Sequence, residues 1–298
     1  MDFKQEYAKK LITADKAAGM VKDGDWIDLG WSSLTPKAFD EALAKRVDEL
    51  HDVKIRGGIA PYPLKVGEAD STGEHFIYHS WHSSGTERAL INKRDHSAYF
   101  IPVKYSEIGR YINENVDKAS IALMQVSPMD KHGNFNFGLS ASHAWETFKN
   151  ADKVILEVNE NVPVAFGGYL NYINIKDVDY VYEANYDMLT LAKANFGEEE
   201  LKVAENVVAL LRDGDCLQLG IGGLPNAIGS EIAKSDLKDL GVHTEMYVDS
   251  FVEMAKAGRI TGMKKNRDVG RQTYAFASGS QELYDYIDHN EELMAVPV

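Results

Sequence analysis

Asp23-Gly24-Asp25-Trp26-Ile27-Asp28-Leu29-Gly30-Trp31-Ser32-Ser33-Leu34 recurs, in register, as Asp213-Gly214-Asp215-Cys216-Leu217-Gln218-Leu219-Gly220-Ile221-Gly222-Gly223-Leu224. Asp, Gly, Asp, Leu, Gly and Leu stand at matching places. With a one-residue adjustment Pro36 pairs with Pro225, Ala38 with Ala227 and Val53 with Val242. A self-match at so long a period marks a duplicated domain, not a solenoid of short repeats. The copies differ where chemistry can sit. Trp31-Ser32-Ser33 becomes Ile221-Gly222-Gly223, and on the same alignment Arg56 becomes Glu245.

Outward from the repeated phrase, each copy reads the same way. Ala14, Ala17, Ala18 and Val21 share one helical face, as do Ala204, Val207, Val208 and Leu211. Asp-Gly-Asp then turns the chain. Strands are expected at 26–29 and 216–219, helices at 37–48 and 226–235, and strands again at 53–55 and 242–244. Strands alternating with helices imply a parallel sheet covered on both faces. The first copy continues with strands near 97–103, 120–126 and 153–158. The boundary falls between 185 and 195, giving domains 1–188 and 189–298.

The second copy is shorter than the first. On the alignment, Val298 falls opposite a position near 109, and the first copy then runs on for roughly 75 residues. The apolar run Leu293-Met294-Ala295-Val296-Pro297-Val298 would expose an unpaired sheet edge. The expectation is a fragment, or one piece of a cleaved chain, whose second sheet is completed by a C-terminal segment or a second polypeptide.

Composition narrows the function classes. The 298 residues are 44% hydrophobic, with 15 Tyr and 11 Phe, enough for a sizeable core. A net charge of −14 disfavours nucleic acid and anionic membranes as partners. One cysteine, Cys216, excludes an internal disulfide and a cysteine-based zinc site, and it is expected to be buried in its strand. No run reaches the roughly 18 apolar residues of a membrane span, and the N-terminus carries no signal core. The chain reads as cytoplasmic.

The loop Gly220-Ile221-Gly222-Gly223-Leu224-Pro225-Asn226-Ala227 joins a strand to a helix, where backbone N–H groups and the helix terminus favour negative charge. Pro225 stands where a dinucleotide fingerprint needs its third glycine, and no Gly-Lys-Ser/Thr follows. A tight turn packing helix on strand is the bland alternative. Against it, the first copy turns with Trp31-Ser32-Ser33, so the turn itself does not call for two glycines. Glu245, in Gly241-Val242-His243-Thr244-Glu245-Met246, ends the neighbouring strand. In open α/β sheets ligand sites lie beyond the carboxyl ends of strands. His243 shares the strand face of Glu245; a packing residue is one reading of it, and it is not ranked as a base. His79, His82 and His132 lack metal-ligand spacing, so no metal is expected. Lys264-Lys265-Asn266-Arg267 is a solvated face or, alternatively, meets a nucleotide phosphate.

Gln218 to Ala227 followed by Gly241 to Met246 resemble the acetyl-CoA hydrolase/transferase family, which includes 4-hydroxybutyrate, butyrate–acetate and propionate CoA-transferases. So do Ser127-Pro128-Met129-Asp130-Lys131-His132-Gly133-Asn134 and Ala275-Phe276-Ala277-Ser278-Gly279-Ser280-Gln281-Glu282-Leu283-Tyr284-Asp285. His79 to Arg88 look most like the butyryl-CoA:acetate enzymes.

The resemblance implies two tandem homologous open-sheet α/β domains of CoA-transferase type, the second incomplete in this chain. It implies a short-chain acyl-CoA:acetate CoA-transferase of the butyryl type, with coenzyme A as substrate and no tightly bound cofactor. Glu245 is then the catalytic carboxylate, working by ping-pong through a glutamyl-CoA thioester, and Gly220, Ile221, Gly222, Gly223 and Leu224 bind CoA. Trp31 and Trp81 are expected as walls keeping water out, and the enzyme as a homo-oligomer. An acyl-CoA hydrolase using the same Glu245, a 4-hydroxybutyrate or propionate CoA-transferase, and a non-catalytic CoA-sensing module stay open as alternatives.

Overall fold

The computed structural model describes residues 2–94 and 96–298. The chain divides into two compact units. The first comprises residues 1–162, 172–189 and 297–298, and the second residues 163–171 and 190–296.

The first unit is built on a seven-stranded parallel sheet. Its strands are β1 (Trp26–Leu29), β2 (Val53–Gly57), β3 (Phe76–Ser80), β4 (Ala98–Phe100), β5 (Ile121–Val126), β7 (Val154–Asn159) and β9 (Tyr180–Ala184), in the order β4-β3-β2-β1-β5-β7-β9. A short antiparallel ribbon pairs β6 (Asn134–Asn136) with β8 (Tyr172–Asn174). β5 and β7 are buried at every position, as central strands of a doubly covered parallel sheet must be. α1 (Phe3–Lys10) opens the chain. α2 (Ala14–Ala18), α3 (Lys37–Ala44), α4 (Lys65–Ala69) and α5 (Gly85–Lys93) pack Ala17, Phe39, Leu43, Val66 and Leu90 against Ile27, Ile55 and Tyr78. α6 (Ile108–Asn113) and α7 (Ala144–Asn150) close over the other face at Asp28 and Arg56.

The second unit has four parallel strands, β10 (Cys216–Leu217), β11 (Gly241–Tyr247), β12 (Gln272–Ala277) and β13 (Leu293–Ala295), in that spatial order. Its helices are α8 (Glu198–Val208), α9 (Gly223–Lys234), α10 (Asp249–Lys256) and α11 (Gln281–Ile287). The order β10-β11-β12-β13 repeats β1-β2-β3-β4, which is the duplication seen at the level of the sheet. β1 lies between β2 and β5, whereas β10 has one neighbour. That difference shortens β10 to two residues and leaves Cys216 exposed, contrary to the expected buried thiol. No helix of the described residues is long and apolar enough to cross a membrane.

The repeated Asp-Gly-Asp is a hydrogen-bonding device. Asp25 accepts from the Lys22 N–H at 2.8 Å and Asp215 from the Arg212 N–H at 2.8 Å. Asp23 accepts from the His51 N–H at 2.8 Å and Asp213 from the Lys238 N–H at 2.9 Å. The Lys54 N–H donates to Asp25 O and the Gly241 N–H to Asp215 O, both at 2.9 Å. These bonds correct the sequence alignment by two residues beyond the first strand. Lys54 corresponds to Gly241, Arg56 to His243, and Gly58 to Glu245. The ladders agree: Arg56 faces His79 and His79 faces Tyr99, as His243 faces Thr273 and Thr273 faces Met294. A two-residue shift keeps every side chain on its original face, so the hydrophobic pattern could not reveal it.

One buried carboxylate gives the first unit a pH signature. Asp40 on α3 accepts from the Lys65 and Val66 N–H groups, at 2.8 and 3.1 Å, where α4 begins. Burial nonetheless pushes its pKa from 3.8 up to about 6. A folded-state pKa above the unfolded value favours folding when protonated. This stabilisation is therefore full below pH 3.8 and is lost as pH rises through about 6. The stability difference between wild type and Asp40→Asn should consequently change by up to about 3 kcal/mol between pH 4 and pH 7, wild type gaining at the acid end. Urea titrations at several pH values read this directly, and a difference that stays flat over that range contradicts it.

Candidate active site

The carboxyl ends of β10, β11 and β12 and the loops that leave them hold the candidate residues. β10 parts from β11 after Leu217, and the Gln218 side chain takes the place of the next backbone acceptor. Its Oε1 accepts the Glu245 N–H at 3.3 Å. This bond fastens the start of the loop 218–222 beside Glu245. The Glu245 side chain itself is exposed, as is that of His243 on the same strand face, while Val242, Thr244 and Met246 point into the unit. His243 is therefore not the packing residue that its place in a strand suggested.

The loop carries the chain into α9. Gly220, Ile221 and Leu224 are exposed and Gly222 and Gly223 half-buried. Gly222 is the N-cap of α9 at φ +123°, a conformation closed to L side chains. A Cβ on Gly223 would stand 2.6 Å from the Asn195 carbonyl oxygen. The first unit also passes through positive φ here, at Ser32 (φ +52°). Gly222 is thus fixed by its φ and Gly223 by the close approach of Asn195, while the first unit makes its own turn with a serine. The N–H groups of Gly223 and Leu224 have no acceptor among the described residues, and Pro225 next to them has no N–H to offer. The exposed first turn of α9 therefore presents two unpaired donors on the carboxyl side of the sheet.

α11 adds the third loop. Its N-cap Ser280 docks on Asp249, whose carboxylate accepts the Ser280 N–H at 3.2 Å and also its hydroxyl. In the cationic run Lys264-Lys265-Asn266-Arg267, Lys265 is buried, unlike the solvated lysine expected. Its Nζ donates to Val242 O at 2.8 Å, Arg271 O at 2.7 Å and Thr273 Oγ1 at 2.9 Å. Burial lowers its pKa from the ordinary lysine value. Those three acceptors use all its donors, so it has none left for a phosphate.

The first unit shows the same place filled. Asp28 and Arg56, the counterparts of Gln218 and His243, form a bidentate ion pair at 2.6 and 2.9 Å. The guanidinium lies 5.3 Å from the Trp26 ring and 5.5 Å from the Trp81 ring. Trp31 covers Gly58, the counterpart of Glu245, so closely that a Cβ there would stand 2.5 Å from the ring. Trp31 and Trp81 are interior residues of this unit, not walls of an open cleft. No group of three or more His, Cys, Asp or Glu side chains among the described residues is placed to hold a metal ion.

Comparison with known proteins finds relatives named for CoA chemistry. Residues 1–192 match the acetyl-CoA hydrolase/transferase N-terminal domain. The chain is 51% identical to butyryl-CoA:acetate CoA-transferase of Anaerostipes caccae, covering 100% of this chain and 67% of the relative. It is 47% identical to a probable butyrate:acetyl-CoA coenzyme A-transferase of Syntrophomonas wolfei, covering 99% and 65%. Among solved structures, RipA from Yersinia pestis superposes with a TM-score of 0.91 at 27% identity, covering 100% of this chain and 70% of that one. A 4-hydroxybutyrate CoA-transferase from Porphyromonas gingivalis gives 0.79 at 26%, covering 99% and 69%. The chain spans about two thirds of the length of the curated relatives it matches.

Proposed function

Because the chain belongs to the acetyl-CoA hydrolase/transferase family, we propose that it carries the nucleophile of a CoA-transferase that moves CoA between butyryl-CoA and acetate. The observation that carries this reading is an exposed carboxylate, Glu245, in the carboxyl half of β11, tied through Gln218 to the start of a glycine loop whose helix offers unpaired N–H groups.

The chemistry is covalent. A carboxylate oxygen of Glu245 attacks the thioester carbonyl carbon, the C–S bond breaks, and CoA leaves as thiolate with a mixed anhydride left behind. The thiolate attacks the glutamyl carbonyl, the anhydride C–O bond breaks, and the first acid departs, leaving glutamyl-CoA thioester. Acetate then runs the sequence in reverse, giving acetyl-CoA and free Glu245. A carboxylate is ionised at neutral pH and needs no general base. It is a weak nucleophile, so oxyanion stabilisation matters most. The Gly222 and Gly223 N–H groups are suited to it, at about 3 kcal/mol per donor. On this reading Gly220, Ile221 and Leu224 line the CoA path, CoA is a substrate, and no tightly bound cofactor takes part.

The second sheet is part of the proposal. A further strand, from the same polypeptide or another, pairs with the free edge of β10 as β5 pairs with β1; the greater length of the relatives supports this. The cytoplasmic setting and self-association expected from the sequence belong to the same reading.

The test is product analysis on the full-length protein. Butyryl-CoA and acetate should give acetyl-CoA and butyrate, and borohydride should trap Glu245 once butyryl-CoA is added. Free CoA released at the same rate with or without acetate makes the protein a hydrolase and overturns the transferase reading.

A further inference from the structure

The transferase reading leaves open where the acid substrate sits. We propose that His243 and Gln218 form the subsite for the carboxylate of the acid substrate, directly beside Glu245. The inference rests on that reading but on different observations, namely the comparison of the two units.

Continuing the register Cys216↔Gly241, Leu217↔Val242 by one residue sets Gln218 and His243 where the first unit pairs Asp28 with Arg56. The cationic side chain on the second strand grips the carboxylate on the first through two hydrogen bonds. This fold therefore places a carboxylate against that ladder position. In the second unit the cationic member has become an imidazole and the acidic member a neutral amide. The protein no longer supplies the carboxylate, and an N–H donor remains where one would bind.

Three features of the second unit fit an acid from solution. His243 is exposed, whereas Arg56 is buried, so an external ligand can reach it. The Gln218 amide is oriented: its Oε1 is engaged by the Glu245 N–H, which turns its NH2 group away from that bond and frees it to donate. Lys265 offers no competing contact on this face, because its donors are all used, one of them on Thr273 Oγ1 directly opposite His243, and Asp268 accepts from the same hydroxyl at 3.2 Å beside it. One carboxylate oxygen can then accept from the His243 and Gln218 N–H groups while the other faces the glutamyl carbonyl of the thioester two residues along the strand. This accounts for a histidine and a catalytic carboxylate at alternate positions of one exposed strand face.

The full-length protein tests this by separating the half-reactions. Enzyme is loaded with butyryl-CoA, freed of small molecules, and the glutamyl-CoA thioester is discharged with increasing acetate. His243→Ala should leave the half-saturating butyryl-CoA concentration within about threefold of wild type, because the CoA moiety carries that affinity, while slowing loading, in which butyrate leaves by the reverse of the step that admits acetate. His243→Ala should raise the half-saturating acetate concentration about 20-fold or more, the loss of a hydrogen bond to a charged group. His243→Asn, which keeps an N–H donor, should recover to within about fivefold of wild type, and Gln218→Asp, which restores a built-in carboxylate, should weaken acetate at least about 10-fold. Unchanged half-saturation by acetate in His243→Ala, or an equal rise in the half-saturating butyryl-CoA concentration, overturns the subsite while leaving the transferase reading intact. A wild-type protein that forms no thioester overturns both.

Discussion

Glu245→Ala is expected to lower kcat for CoA transfer by about 10⁴-fold or more, since it removes the only group proposed to form the covalent intermediate. Glu245→Asp keeps the charge but withdraws it by one methylene. A misplacement of that size costs about 100-fold. Neither change should disturb the fold. The side chain is exposed, its backbone N–H is the atom that bonds to Gln218, and the first unit carries Gly58, just past the end of β2, at the corresponding place. Urea midpoints should therefore agree with wild type to within about 0.5 kcal/mol. Steady-state kinetics and unfolding together decide the matter: Glu245→Ala retaining a tenth of wild-type activity, or losing cooperative unfolding, removes the basis for the assignment.

Asp28→Ala should strongly destabilise the first unit. Asp28 and Arg56 are both buried, and the guanidinium also donates to Val116 O at 3.1 Å. Removing the carboxylate strands a cation between Trp26 and Trp81, at a cost of about 3–5 kcal/mol. Replacing the pair together, with Asp28→Leu and Arg56→Met, removes both charges and should recover most of that loss. Denaturant unfolding of the three variants gives the answer. An Asp28→Ala loss below about 1 kcal/mol, or a double variant no better than the single, means that the ion pair does not hold this face together.

The two predictions fall on related sheet positions. In one unit a charged pair is sealed inside and serves stability. In the other the equivalent ladder carries Gln218, His243 and Glu245 towards solvent, where charge is available for chemistry. The difference follows from what covers the sheet: α6 and α7 close over Asp28 and Arg56, and no element of the second unit takes that place among the described residues.

Much of this was legible in the chain. The Asp-Gly-Asp phrase announced the duplication because its carboxylates bond to nearby backbone, so the residue types are tied to the turn itself. Apolar runs announced β5 and β7, whose side chains have no polar option between two layers. The family resemblance pointed to Glu245 and the glycine loop as candidates. Other features resisted sequence reading. Lys265 belongs to a basic run that looks solvated, yet a turn closed by its own N–H to Gly262 O brings its side chain over Gly241 and into contact with three acceptors. Cys216 has strand-like neighbours, yet it lies on a strand with one partner.

Sequence by itself determined the repeat, the alternation of strand and helix that opens each copy, the family and the candidate carboxylate, because each depends on side chains close together along the chain or on a shared motif; β3, β9 and β12 are not among the expected strands. Only tertiary structure decided which residues of the two copies correspond. Parallel ladder register is set by backbone hydrogen bonds between strands far apart in sequence, and loops of unequal length hide a two-residue shift that leaves every hydrophobic face unchanged. That register exchanged Arg56 for Gly58 as the counterpart of Glu245, and gave His243 a counterpart that binds a carboxylate.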